Sequence, residues 1–441
     1  MKITQNQKPS RVRFTILAAI FINVVINYMD RSNISVAAPM IVEDLHLTSV
    51  QLGYIFSAFG WTYALLQIPG GIMVDYFGPR VLYAFSLITW SATTIAHGFA
   101  KGFVSLIGLR MAIGALEAPS YPTNNRIVTA WFPDNERASA IAVYTSGQFI
   151  GLAFLAPVLT TTEHYIGWKG LFILTGIIGI AWGIVWYFFY RNPEEHKRIN
   201  EKELQYIENG GGIVNRNEQA NKSATSFQWR NLAEEISHKK LWGIYLGQFA
   251  LNSTMWFFLT WFPTYLVKYR GISFIQSGFL SSAPFLFAFA GILLSGFLSD
   301  YMIKKGVSAG IARKTPVIAG LLLSVSIIGA NYVSSSPLII FFMCLSFFGN
   351  GFASITWVFV SALAPKHLIG LTGGVFNFIG GLSAISTPLV IGYLVSGGNF
   401  APAIIFVGII GVVGALSYLF LVGKVERIAM KEDVLLDEML R

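Results

Sequence analysis

Long apolar runs alternate with short polar breaks along nearly the whole chain. Twelve runs can be traced, at about 14–39, 48–74, 80–99, 103–131, 138–162, 168–190, 241–267, 274–299, 315–334, 337–364, 368–396 and 401–423. Each can cross ~30 Å of hydrocarbon as a helix, which takes about 20 residues. A transmembrane β-barrel would instead show ~10-residue segments of alternating polarity. The pattern predicts an all-α polytopic membrane protein with twelve transmembrane helices. One long polar stretch, 191–240, interrupts the runs and holds Gly210-Gly211-Gly212. It divides the chain into a cytoplasmic N-terminus (1–13), a six-helix bundle (14–190), a cytoplasmic linker (191–240), a second six-helix bundle (241–423) and a cytoplasmic tail (424–441). An amphipathic helix is expected in the linker near Glu194–Glu208.

Composition sharpens this picture. The 441 residues are 54% hydrophobic and only 12% charged, with 36 Phe and 11 Trp. Soluble domains carry about 25% charged residues, so a soluble enzyme and a disordered chain are both excluded. The single Cys344 lies in an apolar run and excludes a disulfide framework and a thiolate metal site. The start, Met1–Arg13, is polar and runs directly into the first apolar segment without a small-residue cleavage motif, so that segment is expected to remain as a helix. The formal net charge of +9 would suggest nucleic acid on a soluble protein. Here the bases have a topological explanation. With both termini inside, 25 of the 31 Lys and Arg fall on the cytoplasmic side. Lys101, Lys169, Lys268 and Arg270 fall outside, and Arg31 and Arg110 lie within spans. This asymmetry follows the positive-inside rule, and no nucleic-acid partner is expected.

The two bundles repeat one another. Gly71-x-x-x-Asp75-x-x-Gly78-x-Arg80 follows the second span, and Gly296-x-x-x-Asp300 follows the eighth. Gln148-Phe-Ile-Gly on the fifth echoes Asn377-Phe-Ile-Gly on the eleventh, and Pro133 and Pro365 close the fourth and tenth. Parallel six-helix repeats about an axis along the membrane normal are a transporter architecture, with the substrate near the midplane.

Ionisable groups inside the spans are the most informative residues, because burying them costs several kcal/mol and they tend to mark a pathway (~2.5–3.5 kcal/mol on insertion scales). The first span carries Tyr28-Met-Asp30-Arg31, and the fourth carries Arg110 and Glu117. Arg110 and Glu117 are two turns apart on one helical face. The second bundle has no ionisable Asp, Glu, Lys, Arg or His within its apolar runs. Its candidate cavity groups are neutral: Gln248, Asn252, Ser354, Thr356 and Asn377. The first bundle therefore supplies charge and the second supplies hydrogen bonds. A purely structural set of buried ion pairs is the competing reading, weakened because desolvation often cancels the attraction of such pairs. Asp30 and Glu117 are the candidates for proton exchange, and Arg31 can face a carboxylate with its planar fork. Asp75, Arg80 and Asp300, at cytoplasmic helix ends, are candidate gate pairs. Tyr28 and Tyr63 can offer hydroxyls to a polyol, and Trp357 can stack on a sugar face. His97 is expected at the outer interface.

Taken together, these strings resemble the major facilitator superfamily. Tyr28-Met-Asp30-Arg31-Ser-Asn33, Gln67-Ile-Pro-Gly-Gly71, Glu117-Ala-Pro119-x-x-Pro122-Thr-Asn-Asn-Arg126 and Trp131-Phe-Pro133 resemble its anion:cation symporter branch. Tyr144-Thr-Ser-Gly-Gln148, Gly247-Gln248-Phe, Trp256-Phe-Phe-Leu-Thr-Trp-Phe-Pro263, Phe348-Gly-Asn-Gly-Phe-Ala-Ser354-Ile-Thr-Trp357 and Gly370-Leu-Thr-Gly-Gly-Val-Phe-Asn377 are similar to its bacterial sugar-acid carriers. The resemblance implies proton-coupled uptake of a sugar-acid anion across a bacterial inner membrane by alternating access. D-galactonate leads the candidates, with glucarate, galactarate or a hexuronate as alternatives. It implies protons as the coupling ion, no other cofactor, and a monomeric carrier. By the same similarity Asp30 and Glu117 bind protons, Arg31 serves the substrate carboxylate, and Arg110 pairs with an acid in the gate. Tyr28, Tyr63, Gln148, Gln248, Ser354, Trp357 and Asn377 contact substrate. An embedded enzyme would need a nucleophile and base within the spans, and His97 has no such partner in the sequence. A receptor would need a signalling domain larger than the linker and tail.

Overall fold

In the computed structural model, residues 9–214, 232, 235–365 and 368–428 are described, and they contain helices and no strands. The start of the N-terminal segment, much of the linker, Lys366 and most of the tail lie outside the described residues. The chain forms two compact units. The first comprises residues up to 46 and from 58 to 226, the second residues 47–57 and from 227 onward.

The first unit holds α1 (Val12–Asp44), most of α2 (Ser49–Phe77), α3 (Pro79–His97), α4 (Phe103–Glu117), α5 (Ser120–Trp131) and α6 (Asp134–Phe189). Two of these boundaries differ from the apolar runs, each for a backbone reason. The run 103–131 is two helices because Pro119 and Pro122 supply no backbone N–H, and the α-helical ladder breaks just past Glu117. The run pair 138–162 and 168–190 is joined in α6, and the chain turns at Gly167, whose φ of 71° and ψ of 167° suit a residue without Cβ. Counting α6 as two crossings and α4–α5 as one, the first half of the chain makes six. Large apolar side chains such as Leu65, Ile68, Val104 and Phe188 remain exposed on the protein, as expected where lipid is the solvent.

The start of α1 is capped by the linker. Arg11 offers no side-chain cap. Instead the buried Glu203, on α7 (Glu201–Asn209), accepts from Val12 N at 3.0 Å, Arg13 N at 3.3 Å and Ser10 Oγ at 2.6 Å. A carboxylate there satisfies otherwise orphaned N–H groups and complements the positive end of the helix. Arg13 bridges Glu203 at 3.0 Å and Glu136 at 2.9 Å. Asn200 caps α7 through Glu203 N and also accepts from Ser10 N. The expected linker helix thus exists, preceded by a short 3-10 turn at Pro193–Glu195, and its place is at the N-terminal end of α1.

The second unit holds α8 (Lys239–Thr260), α9 (Phe274–Lys304), α10 (Ala309–Ser324), α11 (Ser336–Phe352), α12 (Trp357–Leu363), α13 (Ile369–Gly381), α14 (Ser383–Leu394) and α15 (Ala401–Phe420). α10 continues as 3-10 helix over Val325–Tyr332. A 3-10 turn at Ser354–Thr356 joins α11 to α12 in one crossing. With α13–α14 as one crossing, this half also makes six. The start of α2 belongs to this unit. Phe56 packs edge-on to Trp261 at 5.4 Å, and the Tyr54 and Tyr393 hydroxyls meet at 3.0 Å. Glu235, ahead of α8, is buried; burial pushes its carboxyl up, against the hydrogen bond it accepts from Tyr245 at 2.8 Å.

Candidate substrate and proton site

Six of the residues singled out by sequence converge inside the first unit. Arg31 is 5% exposed and Glu117 is fully buried. Their side chains pair, Arg31 Nε donating to Glu117 Oε2 at 2.8 Å. α1 supplies the cation. The last turn of α4 supplies the anion, just where the prolines break the helix. The Arg31 guanidinium also lies over three rings: Tyr63 at 4.6 Å, Phe59 at 4.8 Å and Tyr28 at 5.0 Å. Tyr63 stacks on Phe59 at 5.0 Å. An arginine at aromatic faces is held by the ring quadrupoles, and more strongly when water is excluded. The pair is therefore a neutral ion pair in an aromatic box.

The close approach that makes the box possible is written in a glycine. A Cβ on Gly114 would collide with the carbonyl oxygen of Phe59. α2 and α4 touch there backbone to backbone, and Thr62 Oγ1 donates to Met111 O at 2.6 Å. This contact brings Phe59 under both arginines, since Arg110 lies over the same ring at 5.1 Å.

Arg110 departs from the sequence expectation. It is 1% exposed, and no carboxylate lies within 4 Å of it among the described residues. Its Nε and Nη2 have no protein partner. The anticipated same-helix relation with Glu117 does not become a contact, because Glu117 turns to Arg31 on α1. Arg31 Nη2 and Glu117 Oε1 also lack a hydrogen bond of good geometry, with Asn27 near Glu117 and Asn124 near Tyr83. Buried polar groups are almost always hydrogen-bonded. Such a concentration around one ion pair marks a place equipped for a polar guest. Asp30 is 1% exposed and sits one residue from Arg31 on α1, with Trp90 Nε1 donating to its Oδ2 at 2.9 Å. Sequence reasoning missed Phe59, Trp90, Asn27 and Asn124. Their residue types are common in membrane helices, and only the packing of α2, α3 and α5 onto α1 and α4 brings them together.

The residues expected to form gate pairs at helix ends also pair differently from expectation. Asp75 pairs with Arg126 at 3.3 Å. Arg80 donates to Tyr187 O at 2.9 Å and lies over that ring. Asp300 is exposed at the end of α9, without an ion pair among the described residues. His97, the last residue of α3, is fully buried, stacked on Phe172 of α6 at 5.1 Å with Nδ1 facing Thr93 O. Gln148 is half-buried on α6.

In the second unit the neutral groups form their own cluster. Thr356 Oγ1 donates to Gln248 Oε1 at 2.9 Å, and Gln248 Nε2 approaches Asn252 Oδ1 at 3.5 Å. Asn350 Nδ2 donates to Leu251 O at 2.8 Å. The 3-10 turn carries both Ser354 and Thr356 and leads into Trp357, which is half-exposed and edge-on to Phe376 at 5.0 Å. Asn377 is exposed on the next helix.

A twelve-crossing, two-bundle membrane chain with charge concentrated in one bundle defines a secondary transporter, and comparison with known proteins agrees. The model of the Major Facilitator Superfamily matches residues 20–386, and the chain belongs to that family. It is 52% identical over 425 residues to a D-galactonate transporter of Escherichia coli O6:H1, covering 96% of this chain and 98% of that one. It is 41% identical to a probable galactarate/D-glucarate transporter of Bacillus subtilis (strain 168), covering 98% of this chain and 96% of that one. Among solved structures, a D-xylose-proton symporter superposes with a TM-score of 0.72 at 14% identity, covering 94% of this chain and 99% of that one. That last likeness establishes the fold. The chain is a multi-pass membrane transporter, not an enzyme.

Proposed function

We propose that this transporter couples protons to the uptake of a sugar-acid anion, D-galactonate first, across the bacterial inner membrane by alternating access. It works as a monomer with both termini in the cytoplasm. The observation that carries the proposal is the buried Arg31–Glu117 pair in its aromatic box. The 52% identity to a D-galactonate transporter over nearly the whole chain supports the substrate. Galactarate and D-glucarate, which relatives at about 40% identity are named for, are the second reading.

The chemistry runs as a competition for one cation. While Glu117 is ionised it occupies Arg31. When Glu117 takes a proton, the pair dissolves, and Arg31 Nε with the unpartnered Nη2 can receive the substrate carboxylate as a fork. Tyr28, Tyr63 and Gln148 then offer hydrogen bonds to the polyol, as do Gln248, Ser354 and Asn377 of the second unit, and Trp357 offers a stacking face. Asp30 is the second proton carrier. Loss of the proton to the cytoplasm restores the internal pair and expels the anion. Arg110, Asp75, Arg80 and Asp300 serve the gates. The inside-negative potential opposes entry of an anion by ~2.3 kcal/mol per charge per 100 mV. One proton removes that penalty for a monoanion, and two make uptake electrogenic.

The test is uptake into proteoliposomes of galactonate, gluconate, glucarate and glucuronate, each with and without an inward proton gradient. Galactonate accumulation that needs the gradient is expected. Absence of transport for every sugar acid would overturn the proposal, and preference for glucarate would select the second reading.

A further inference from the structure

Two of the neighbours of Asp30 give it hydrogen bonds that run in one direction. The indole Nε1 of the fully buried Trp90 donates to Oδ2 at 2.9 Å. The amide Nδ2 of Asn33, one turn along α1 and also fully buried, approaches Oδ1 at 3.5 Å. An indole N–H can donate but not accept. The Asn33 amide could in principle be turned either way, and Thr175 of α6 decides the matter. Thr175 Oγ1 donates to Leu171 O at 2.9 Å, so its hydrogen is spent. It can only accept from Asn33, and Nδ2 lies 2.8 Å from it. A flipped amide would set Oδ1 against two acceptors. Trp90 and Asn33 therefore give hydrogens to Asp30 and cannot take one; Thr94, whose hydroxyl donates to Trp90 O at 3.1 Å, is a third neighbour.

Each donated hydrogen bond stabilises the charged form relative to the acid. The charged groups that act on Asp30 are Glu117 and Arg110 of α4. α3 adds the neutral Trp90 and Thr94, α6 the neutral Thr175, and α5 Tyr121 beside Arg31.

We propose that Trp90 and Asn33, with Thr175 orienting the latter, are positioning residues that set the proton affinity of Asp30 and so the pH range in which the carrier couples. This rests on the proton-coupled reading given above. None of the three touches substrate in the proposed scheme.

Two measurements on the full-length protein test it. The first is infrared titration of the carboxylic C=O band that disappears in Asp30→Asn, which reads the proton on Asp30 whether or not anything is transported. The second is the pH profile of galactonate counterflow and proton-driven uptake in proteoliposomes. In Trp90→Phe the band midpoint is expected to move about one unit toward higher pH, the scale of one lost hydrogen bond to a charged group. Counterflow is expected to persist, while the pH profile of driven uptake moves with the band. Thr175→Val, a near-isosteric change that removes the acceptor for Asn33, should move both in the same direction by less, and it carries the test if Trp90→Phe fails to fold. Midpoints unchanged from wild type in a folded variant would overturn the proposal. A shifted band in a protein that moves no sugar acid would sustain the positioning and refute the transport reading instead.

Discussion

Replacing Glu117 by Gln tests the competition for Arg31 most directly. The change keeps the volume and leaves an amide oxygen able to accept from Arg31 Nε at the present 2.8 Å. It turns an ion pair into a hydrogen bond from the still-charged guanidinium to a neutral amide, a change from about 3 kcal/mol toward about 1.5 kcal/mol within the range for hydrogen bonds to charged groups. The internal competitor for the cation thus weakens by about 1–1.5 kcal/mol, and an anion should bind about tenfold more tightly. The substrate-free protein should be destabilised at the same time, because the guanidinium loses its balancing charge. Breaking a buried pair costs about 3–5 kcal/mol when the partner is removed outright, and the retained amide should hold the loss below that. Galactonate, bringing a new carboxylate, should restore more thermal stability to Glu117→Gln than to wild type. Binding should also lose the part of its pH dependence that comes from protonation of Glu117. Calorimetry and a thermal-shift series in detergent measure these quantities, and proteoliposomes test for counterflow without accumulation. Weaker binding than wild type, or accumulation against a gradient, would refute the reasoning.

Other changes probe the scaffold of the site. Phe59→Leu keeps apolar bulk but removes the ring faced by both Arg31 and Arg110; melting in detergent should show a loss of about 1–2 kcal/mol, and galactonate binding should weaken. Gly114→Val places side-chain atoms against the Phe59 carbonyl and should destabilise by about 1–3 kcal/mol, visible as a lower melting temperature with transport reduced in parallel. Glu203→Ala removes the cap of α1 and one partner of Arg13, and hydrogen exchange should speed up in both α7 and the first turn of α1. The linker contact should also respond to acid. Partial burial opposes the charge of Glu136, but hydrogen bonds from Arg13 at 2.9 Å and Tyr206 at 2.8 Å hold its carboxyl below the usual glutamate range. A depressed acid stabilises the fold above its unfolded value, about 4.3, and that contribution fades as the pH falls through the lower folded value. Protection of Glu201–Asn209, corrected for intrinsic exchange, should therefore be full at neutral pH and fall below about pH 4; equal protection at both would contradict it.

The linear pattern by itself determined the class of this protein. Apolar runs of about 20 residues admit only helices in a bilayer, since every backbone polar group must be satisfied within the segment. The distribution of Lys and Arg sets the expected orientation, and scarcity of charge makes Asp30, Arg31, Arg110 and Glu117 conspicuous. Proline and glycine chemistry was also legible after the fact in the break beyond Glu117 and in the turn at Gly167, although hydropathy alone smoothed over the first. Partnership was not legible. Arg110 and Glu117 share a helix face, yet Glu117 pairs with Arg31, 86 residues away. Asp75 meets Arg126 and not Arg80. An acid in the linker caps the first helix. Periodicity reports which side of a helix a residue occupies, but the azimuth at which two helices meet depends on side-chain shape across the contact. That is why Phe59 and Trp90, ordinary residues in an aromatic-rich chain, acquire their place beside Arg31 and Asp30 only in the tertiary structure.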